Sequence, residues 1–280
     1  MTAKAKAPKL DEIGYWSEIK LDIIRDYAKA YSTILSKQER FRLHHVYIDA
    51  FAGAGIHVSK TRGAMIPGSP QIAVATDPPF REYHFIDLDG TKVGNLRQLF
   101  QGRSNVHVYE GDCNRIMLEQ VFPQVLYKDY RRGLCLLDPY GLHLDWGVIR
   151  TAGQMKSLDV FLNFPIMDMN MNVLWKNPDG VDGSDVARMS SFWGDDSWRS
   201  IAYRPEATLF GPVDEKNDNE TIAEAFRERL KRVAGFAHVP PPIPMRNTIG
   251  STVYYLYFAS QKPVAQNIVT HIFNKYRPRW

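Results

Sequence analysis

The sequence is poor in cysteine and in long apolar runs. Its two cysteines, Cys113 and Cys135, lie far apart and form no C-x-x-C pair. This excludes a disulfide framework and a thiolate zinc site, and it favours a reducing, cytoplasmic location. No window has the length of a signal peptide or a membrane-spanning helix, so we expect no membrane association.

An excess of one charge is also missing. Lysine and arginine number 35 against 31 acidic residues, for a net charge of +4. On a chain of this length that excess is too small to indicate a polyanionic partner by itself, so nucleic acid is permitted and not required. The adjacent His44 and His45 point to opposite faces of a strand, and we therefore expect no metal site there.

Strands and helices alternate along the first part of the chain. Apolar, β-branched runs predict strands at 45–51, 82–89, 105–112, 133–140 and 159–165. Amphipathic spacing and capping residues predict helices at 16–36, 69–76, 91–101, 115–127 and 145–156. Such alternation is typical of an α/β fold with a parallel sheet covered on both faces, a doubly wound Rossmann-like arrangement.

The pattern changes after the fifth strand. Residues 166–219 carry methionine, tryptophan, Asn-Pro and glycine clusters without a clean period, which predicts an insertion, and 56–68 is predicted to be a loop. A helix at 220–234, a strand at 252–260 and a helix at 263–276 are then expected to complete the sheet.

The run YIDAFAGAG at 47–55 is a strand followed by a glycine turn, typical of a nucleotide cofactor site. A dinucleotide fingerprint needs a third glycine where Val58 stands, and a helix directly after the turn. Neither is present. The pattern therefore favours S-adenosylmethionine over a nicotinamide cofactor.

Acidic residues follow the first three predicted strands, one at each end. Asp87 is expected to accept the ribose hydroxyls, Leu88 to cover the adenine, and Asp112 to accept the adenine amino group, because ligands of open α/β sheets bind at the carboxyl ends of the strands. The glycines let the backbone approach the methionine part. The predicted cofactor-binding set is Asp49, Phe51, Gly53, Gly55, Asp87, Leu88, Asp112 and Cys113.

Five motifs together, YIDAFAGAG, GSP, FIDLD, EGDCN and LLDPYG, resemble the three-Cys-motif partner (TcmP) family. The resemblance implies a class I methyltransferase sheet with an antiparallel late strand, paired with a separate three-cysteine protein of radical S-adenosylmethionine type. More distantly, the motifs are similar to those of amino-methyltransferases that act on adenine or cytosine in nucleic acids.

We accordingly predict a single methyltransferase-like domain over 1–280. Its parts are a basic tail and helix (1–40), a cofactor-binding core (41–165), the insertion (166–219) and a C-terminal completion of the sheet (220–280).

The fourth strand ends in Asp138, Pro139 and Tyr140, the predicted catalytic residues. In amino-methyltransferases an acid or amide, two prolines and an aromatic stand here, whereas this chain has one proline and an earlier aromatic. Tyr140 either stacks on a planar substrate or points into the sheet while Gly141 permits the turn. Asp138 is expected to orient an attacking amine, the alternative being a cap for the helix near Asp145.

Residues after the fifth strand are candidates for substrate binding. Asn163 and Phe164 are expected to line the pocket, Trp175 to stack on a base, and Arg199 to contact phosphate. Tryptophans of this kind also anchor small cores, and that alternative stays open.

Three functions fit these patterns. The leading one is a methyltransferase acting on an amino group of a nucleic-acid base, together with the three-cysteine partner. A non-catalytic scaffold subunit of that partner is the second, motivated by the altered DPYG motif. A small-molecule methyltransferase is the third, because this fold hosts many substrates.

Overall fold

The computed structural model describes residues 10–38, 43–208 and 211–277. Most of the predicted basic N-terminal tail, residues 1–9, lies outside these ranges. The strands are β1 (Asp11–Ile13), β2 (His44–Asp49), β3 (Ile56–Ser59), β4 (Met65–Pro67), β5 (Glu82–Asp87), β6 (Val106–Glu110), β7 (Arg131–Leu137), β8 (Leu158–Phe164), β9 (Tyr203–Thr208), β10 (Gly211–Lys216), β11 (Ile243–Arg246) and β12 (Thr252–Ala259). The helices are α1 (Tyr15–Ser36), α2 (Ser69–Val74), α3 (Gly90–Leu99), α4 (Cys113–Ile116), α5 (Trp146–Met155), α6 (Ile166–Asn172), α7 (Gly183–Trp193), α8 (Trp198–Ala202), α9 (Asn219–Arg232) and α10 (Pro263–Tyr276).

A seven-stranded sheet forms the centre, in the order β11-β12-β8-β7-β2-β5-β6. Neighbouring strands from β8 to β6 pair in parallel, whereas β12 is antiparallel to both β8 and β11. Strand β2 is buried along nearly its whole length, as expected for a parallel strand covered on both faces. The predicted doubly wound α/β sheet with an antiparallel late strand is confirmed.

Helices cover both faces of this sheet, and each face has its own apolar core. On one face α1 and α10 pack together over β12, where Tyr27 lies 4.7 Å from Phe258 between ring centroids. On the other face Phe226 of α9 lies 4.6 Å from Phe164 and stacks on Phe192 at 5.6 Å. Aromatic rings of this kind each bury a large apolar area and contribute strongly to the stability of a core.

The loop predicted at 56–68 contains a hairpin of β3 and β4, which pairs with β1 in a second, three-stranded sheet. Glu18 of α1 fixes this hairpin, because it accepts a hydrogen bond from Ser59 Oγ at 2.5 Å and pairs with Arg62 at 3.2 Å. The loop prediction was wrong because these partners are distant in sequence.

The predicted helix at 115–127 is divided. Only Cys113–Ile116 is α-helical, a π-helical turn covers Met117–Val121, and a 3-10 turn follows over Phe122–Gln124. Pro123 lacks the amide hydrogen that a continuing α-helix needs.

The predicted insertion carries α6, α7, α8 and the hairpin of β9 and β10 between β8 and α9. Trp193 and Trp198 are buried, and their indoles donate to Ser197 Oγ and Ser190 Oγ, each at 3.0 Å. These two tryptophans therefore anchor a local core. Across the described residues, the helices all fall short of the length and apolarity needed to cross a membrane.

Candidate functional site

A cavity of about 250 Å³ lies at the carboxyl ends of β2, β7 and β8, and we call it the site cavity. The turns after β2 and β7 contribute residues 51–53 and 138–140 to its lining, and β8 contributes Asn163. Helix α1 closes one side with Trp16 and Lys20. The topology thus brings the predicted catalytic residues beside the glycine turn, at the edge where ligands of open α/β sheets bind.

Asp138 forms an ion pair with Lys20 of α1, which sequence reasoning missed. The lysine side chain is 9% exposed, and its ammonium lies 5.4 Å from the ring centroid of Tyr254. Burial lowers the pKa of Lys20, but the charges of Asp138, Tyr254 and Asp49 outweigh burial, so the net pKa is raised. The site cavity therefore holds a charged lysine against the predicted catalytic carboxylate.

A sequence signal for Lys20 exists. It stands four residues before Ile24 and seven before Tyr27, on the buried stripe of an amphipathic helix. A lysine at such spacing must find a partner when buried, because an unpaired buried ammonium is costly. The signal predicts a partner without saying which.

Asn163 is a further polar group in the site cavity. Its side chain is buried, and in the part of the chain that the structure describes its Oδ1 has no hydrogen-bond partner. Buried carbonyl oxygens are rarely left unpaired, so an unpaired one in a cavity indicates a donor supplied by a ligand or by water.

Asp87 organises the glycine turn after β2. Its Oδ2 accepts a hydrogen bond from the amide of Gly53 at 2.8 Å, and its Oδ1 accepts one from the amide of Asp89 at 2.9 Å. Gly53 and Gly55 have φ of 65° and 79°, a left-handed region that favours glycine. The end of β5 and the turn after β2 are therefore one hydrogen-bonded unit.

Asp49 is fully buried at the end of β2, where its Oδ1 accepts the amide of Phe51 at 3.2 Å. Burial raises the pKa of Asp49 to about 7, hydrogen bonds from Ser69 and Phe51 oppose this rise, and the charge of Asp138 adds to it. Asp49 therefore changes its protonation near neutral pH.

This carboxyl predicts that the fold loses stability as the pH rises from about 4 to about 7. The pKa of Asp49 is higher in the folded chain than its ordinary 3.8, so its contribution is fully present below pH 3.8 and is lost as the pH rises to about 7. The slope from one such group is at most about 1.4 kcal/mol per pH unit. Urea unfolding between pH 4 and 8 measures it, and the isosteric Asp49→Asn variant should show a shallower slope. Equal slopes for both proteins would contradict the assignment.

The predicted cofactor residues that follow β5 and β6 lie outside the site cavity. Leu88 is 76% exposed, and Asp112 caps α4 by accepting the amide of Arg115 at 3.0 Å. Burial raises the pKa of the Cys113 thiol to about 12, which makes it a poor nucleophile. These side chains do not line the site cavity, although Asp112 keeps acceptor capacity at the sheet edge.

Tyr140 lies at the mouth of the site cavity and is 61% exposed. Its hydroxyl lies 3.2 Å from Asp11 Oδ2, and the Lys92 ammonium lies 5.3 Å from its ring centroid. Gly141 has φ of 59°, and a Cβ there would come within 2.8 Å of Asp168 Oδ2. The ring therefore faces outward while the glycine makes the turn.

The predicted substrate residues lie apart from one another. Only Asn163 lines the site cavity; Phe164 is packed in the core against Phe226. Trp175 is 42% exposed and donates to the carbonyl of Met171 at 2.7 Å, whereas Arg199 stacks 4.7 Å above the ring of Trp198. Phe164 faces the core because alternate residues of a strand point to opposite faces.

No protein-family model matches the chain, and no curated protein matches it either. Solved structures do show a similar arrangement. Protein LPL1258 from Legionella pneumophila, of family DUF519, has a TM-score of 0.46 at 11% identity over 92% of this chain and 93% of that one. A Listeria monocytogenes protein described as an S-adenosylmethionine-dependent methyltransferase has 0.42 at 12% identity over 82% and 97%. A Thermobifida fusca protein described as a methyltransferase has 0.41 at 12% over 88% and 80%. The resemblance to the TcmP family stays a prediction from the motifs.

Proposed function

We propose that this protein is an S-adenosylmethionine-dependent methyltransferase that modifies an exocyclic amino group of a nucleic-acid base. One observation carries the proposal. Two hydrogen-bond acceptors, the carboxylate of Asp138 and the unpaired Oδ1 of Asn163, line the same cavity, beside the glycine turn. An amino group bound there has two hydrogens to donate, which matches two acceptors.

The glycine turn and Asp87 fit the cofactor. A Cβ on Gly53 would meet only His57 Cε1, at 3.8 Å, so this side of the turn is open toward a ligand. Each oxygen of Asp87 accepts one backbone amide and keeps a lone pair for a ribose hydroxyl. When bound, S-adenosylmethionine supplies an electrophilic methyl group.

The chain itself orients the acceptor and excludes water. Methyl transfer to an amine is a single displacement that depends on alignment of the nucleophile more than on a strong base. Lys20 holds the Asp138 carboxylate in one orientation, and Trp16 of α1 with Ile13 of β1 shields the cavity from solvent. A preorganised, sheltered acceptor pair of this kind supports amine methylation.

A nucleic-acid substrate is supported by the mouth of the site cavity. Tyr140 presents an exposed ring on which a base can stack. The Lys92 ammonium beside this ring is paired with Asp11 at 2.6 Å. A base in a duplex would be flipped out at a cost of a few kcal/mol. The three-cysteine partner implied by the motifs belongs to the same proposal.

A non-catalytic subunit of that partner is the second candidate function. The ion pair between Lys20 and Asp138 favours this function, because the Lys20 ammonium already binds one oxygen of the carboxylate that an amine would need. Cofactor binding without methyl transfer, measured on the complex with the partner, would support it.

Nucleoside mass spectrometry of DNA and RNA tests the leading proposal. Cells that carry the wild-type gene should contain a methylated amino base that is absent from cells without it. The mark should also be absent with Asp138→Ala and present with Asp179→Ala, a matched change at an exposed aspartate outside the site cavity. A mark that persists without the gene would contradict the proposal.

A further inference from the structure

A larger cavity, of about 560 Å³, lies at the opposite edge of the central sheet, and we call it the rear cavity. Its lining includes Arg132 at the amino end of β7 and Leu158 at the amino end of β8, whereas Asp138 follows the carboxyl end of β7. Seven residues of strand separate the two edges by about 20 Å. The rear cavity is therefore separate from the site cavity, and its volume is typical of small-molecule sites.

The walls of the rear cavity are mostly aromatic and aliphatic. Tyr31 and Ile34 of α1 form one side, Ala265 and Ile268 of α10 another, and Tyr127 a third. The guanidinium of Arg132 lies 3.5 Å from the ring centroid of Tyr127, so a flat cation is already stacked on this ring. Such walls suit a ligand with a flat apolar body.

The charge of the rear cavity is positive. Its cationic lining residues are Lys128, Arg132, Lys156 and Lys262. Within the described ranges none of these four forms a salt bridge. Among the lining residues that the structure describes, the acidic one is Asp159, which accepts hydrogen bonds from Tyr27 at 2.7 Å and from Ser260 at 2.5 Å, and burial raises its pKa. The cations therefore exceed the negative charge available to them.

An unpaired donor faces the same space. Tyr31 is 8% exposed and lines the rear cavity, and in the described parts of the chain its hydroxyl makes no hydrogen bond. The hydroxyl oxygen itself is not among the fully buried atoms without a partner, so it reaches the cavity and can donate to an acceptor on a ligand.

Backbone strain is concentrated here as well. Among the described residues, the non-glycine residues with positive φ are Tyr130 at 57° and Lys156 at 58°, and both line the rear cavity. A bulky residue in this region is an outlier that the surrounding structure must hold in place. Such strain collects at binding sites.

We propose that the rear cavity binds a small organic anion with a flat aromatic body. The rings and aliphatic side chains contact the flat body of the ligand, while the unpaired cations and the Tyr31 hydroxyl bind its anionic group. This proposal does not depend on the methyltransferase assignment.

Fluorescence titration of the intact chain with 8-anilinonaphthalene-1-sulfonate tests it. We expect saturable binding to wild type. Val264 lies at the rim of the rear cavity and is 52% exposed, so Val264→Trp should narrow the cavity and weaken binding at least about tenfold. Ile249→Trp, at an 84% exposed loop position outside the rear cavity, should bind as wild type does. Equal affinity of wild type and Val264→Trp would overturn the proposal.

Lys156→Gly separates a binding role from a structural one. Glycine adopts this backbone without strain, so the melting temperature should stay at or above that of wild type, while affinity for the sulfonate falls about tenfold with the lost charge. Lys176→Gly, outside the rear cavity, is the matched charge control.

The uncharged probe N-phenyl-1-naphthylamine should bind wild type more weakly than the sulfonate does. If it binds as tightly as the sulfonate, the anion requirement is wrong.

Discussion

An Asp138→Ala variant is expected to lose both methyl transfer and stability. Removal of the carboxylate takes away the proposed acceptor that orients the amine, an effect of about 10²- to 10⁴-fold on kcat. It also leaves the buried Lys20 ammonium without its partner. Breaking a buried pair costs about 3–5 kcal/mol, and the cost here should lie near the low end because Asp138 is 24% exposed. Single-turnover kinetics and urea unfolding measure the two losses separately.

The double variant Lys20→Met, Asp138→Ala is the control for the stability loss. Without the Lys20 ammonium the loss of Asp138 leaves no unpaired buried cation, so the double variant should be more stable than Asp138→Ala alone while staying inactive. Recovery of activity in the double variant would show that Asp138 acts only by neutralising Lys20. In that case the amine acceptor must lie elsewhere.

The parallel strands of the central sheet could be predicted from the sequence because each of them carries a local signal, whereas the edge strand β11 was not predicted. The run at 45–51 is apolar and β-branched and stops at a glycine turn, and the structure has β2 at His44–Asp49. Strand β1 and the hairpin of β3 and β4 carry no such signal, since each spans three or four residues and depends on a partner far along the chain. Short strands are specified by tertiary pairing more than by their own sequence.

The residues of the candidate site differ in the same way: some could be placed from the local sequence, and others could not. Asp138 and Asp87 could be placed at the sheet edge, because a residue that follows a parallel strand must lie there. Lys20 and Tyr254 could not, because α1 and β12 reach the site cavity through packing. Lys20 and Asp138 are 118 positions apart. Nor could the sequence reveal that Asp112 would cap a helix, since an acid after a strand fits both roles.

An Asp87→Ala variant is expected to abolish cofactor binding. Two effects act together: the proposed ribose acceptor is lost, and the amides of Gly53 and Asp89 lose their partner. The glycine turn then no longer has a fixed conformation. Loss of one charged hydrogen bond costs about 1.5–3 kcal/mol, and two such losses weaken binding by at least about a hundredfold. Isothermal titration calorimetry with S-adenosylhomocysteine measures this change.

Asp89→Ala is the matched control, because Asp89 is two residues away and caps α3 by accepting the amide of Thr91 at 2.8 Å. Loss of that cap costs about 1 kcal/mol of stability and should leave cofactor affinity unchanged. If Asp87→Ala binds as tightly as Asp89→Ala, the ribose assignment is wrong even though the fold is right. If wild type itself releases no heat with the cofactor product, the proposal of a methyltransferase fails. The anion titration of the rear cavity is then unaffected, since it needs neither Asp87 nor the cofactor.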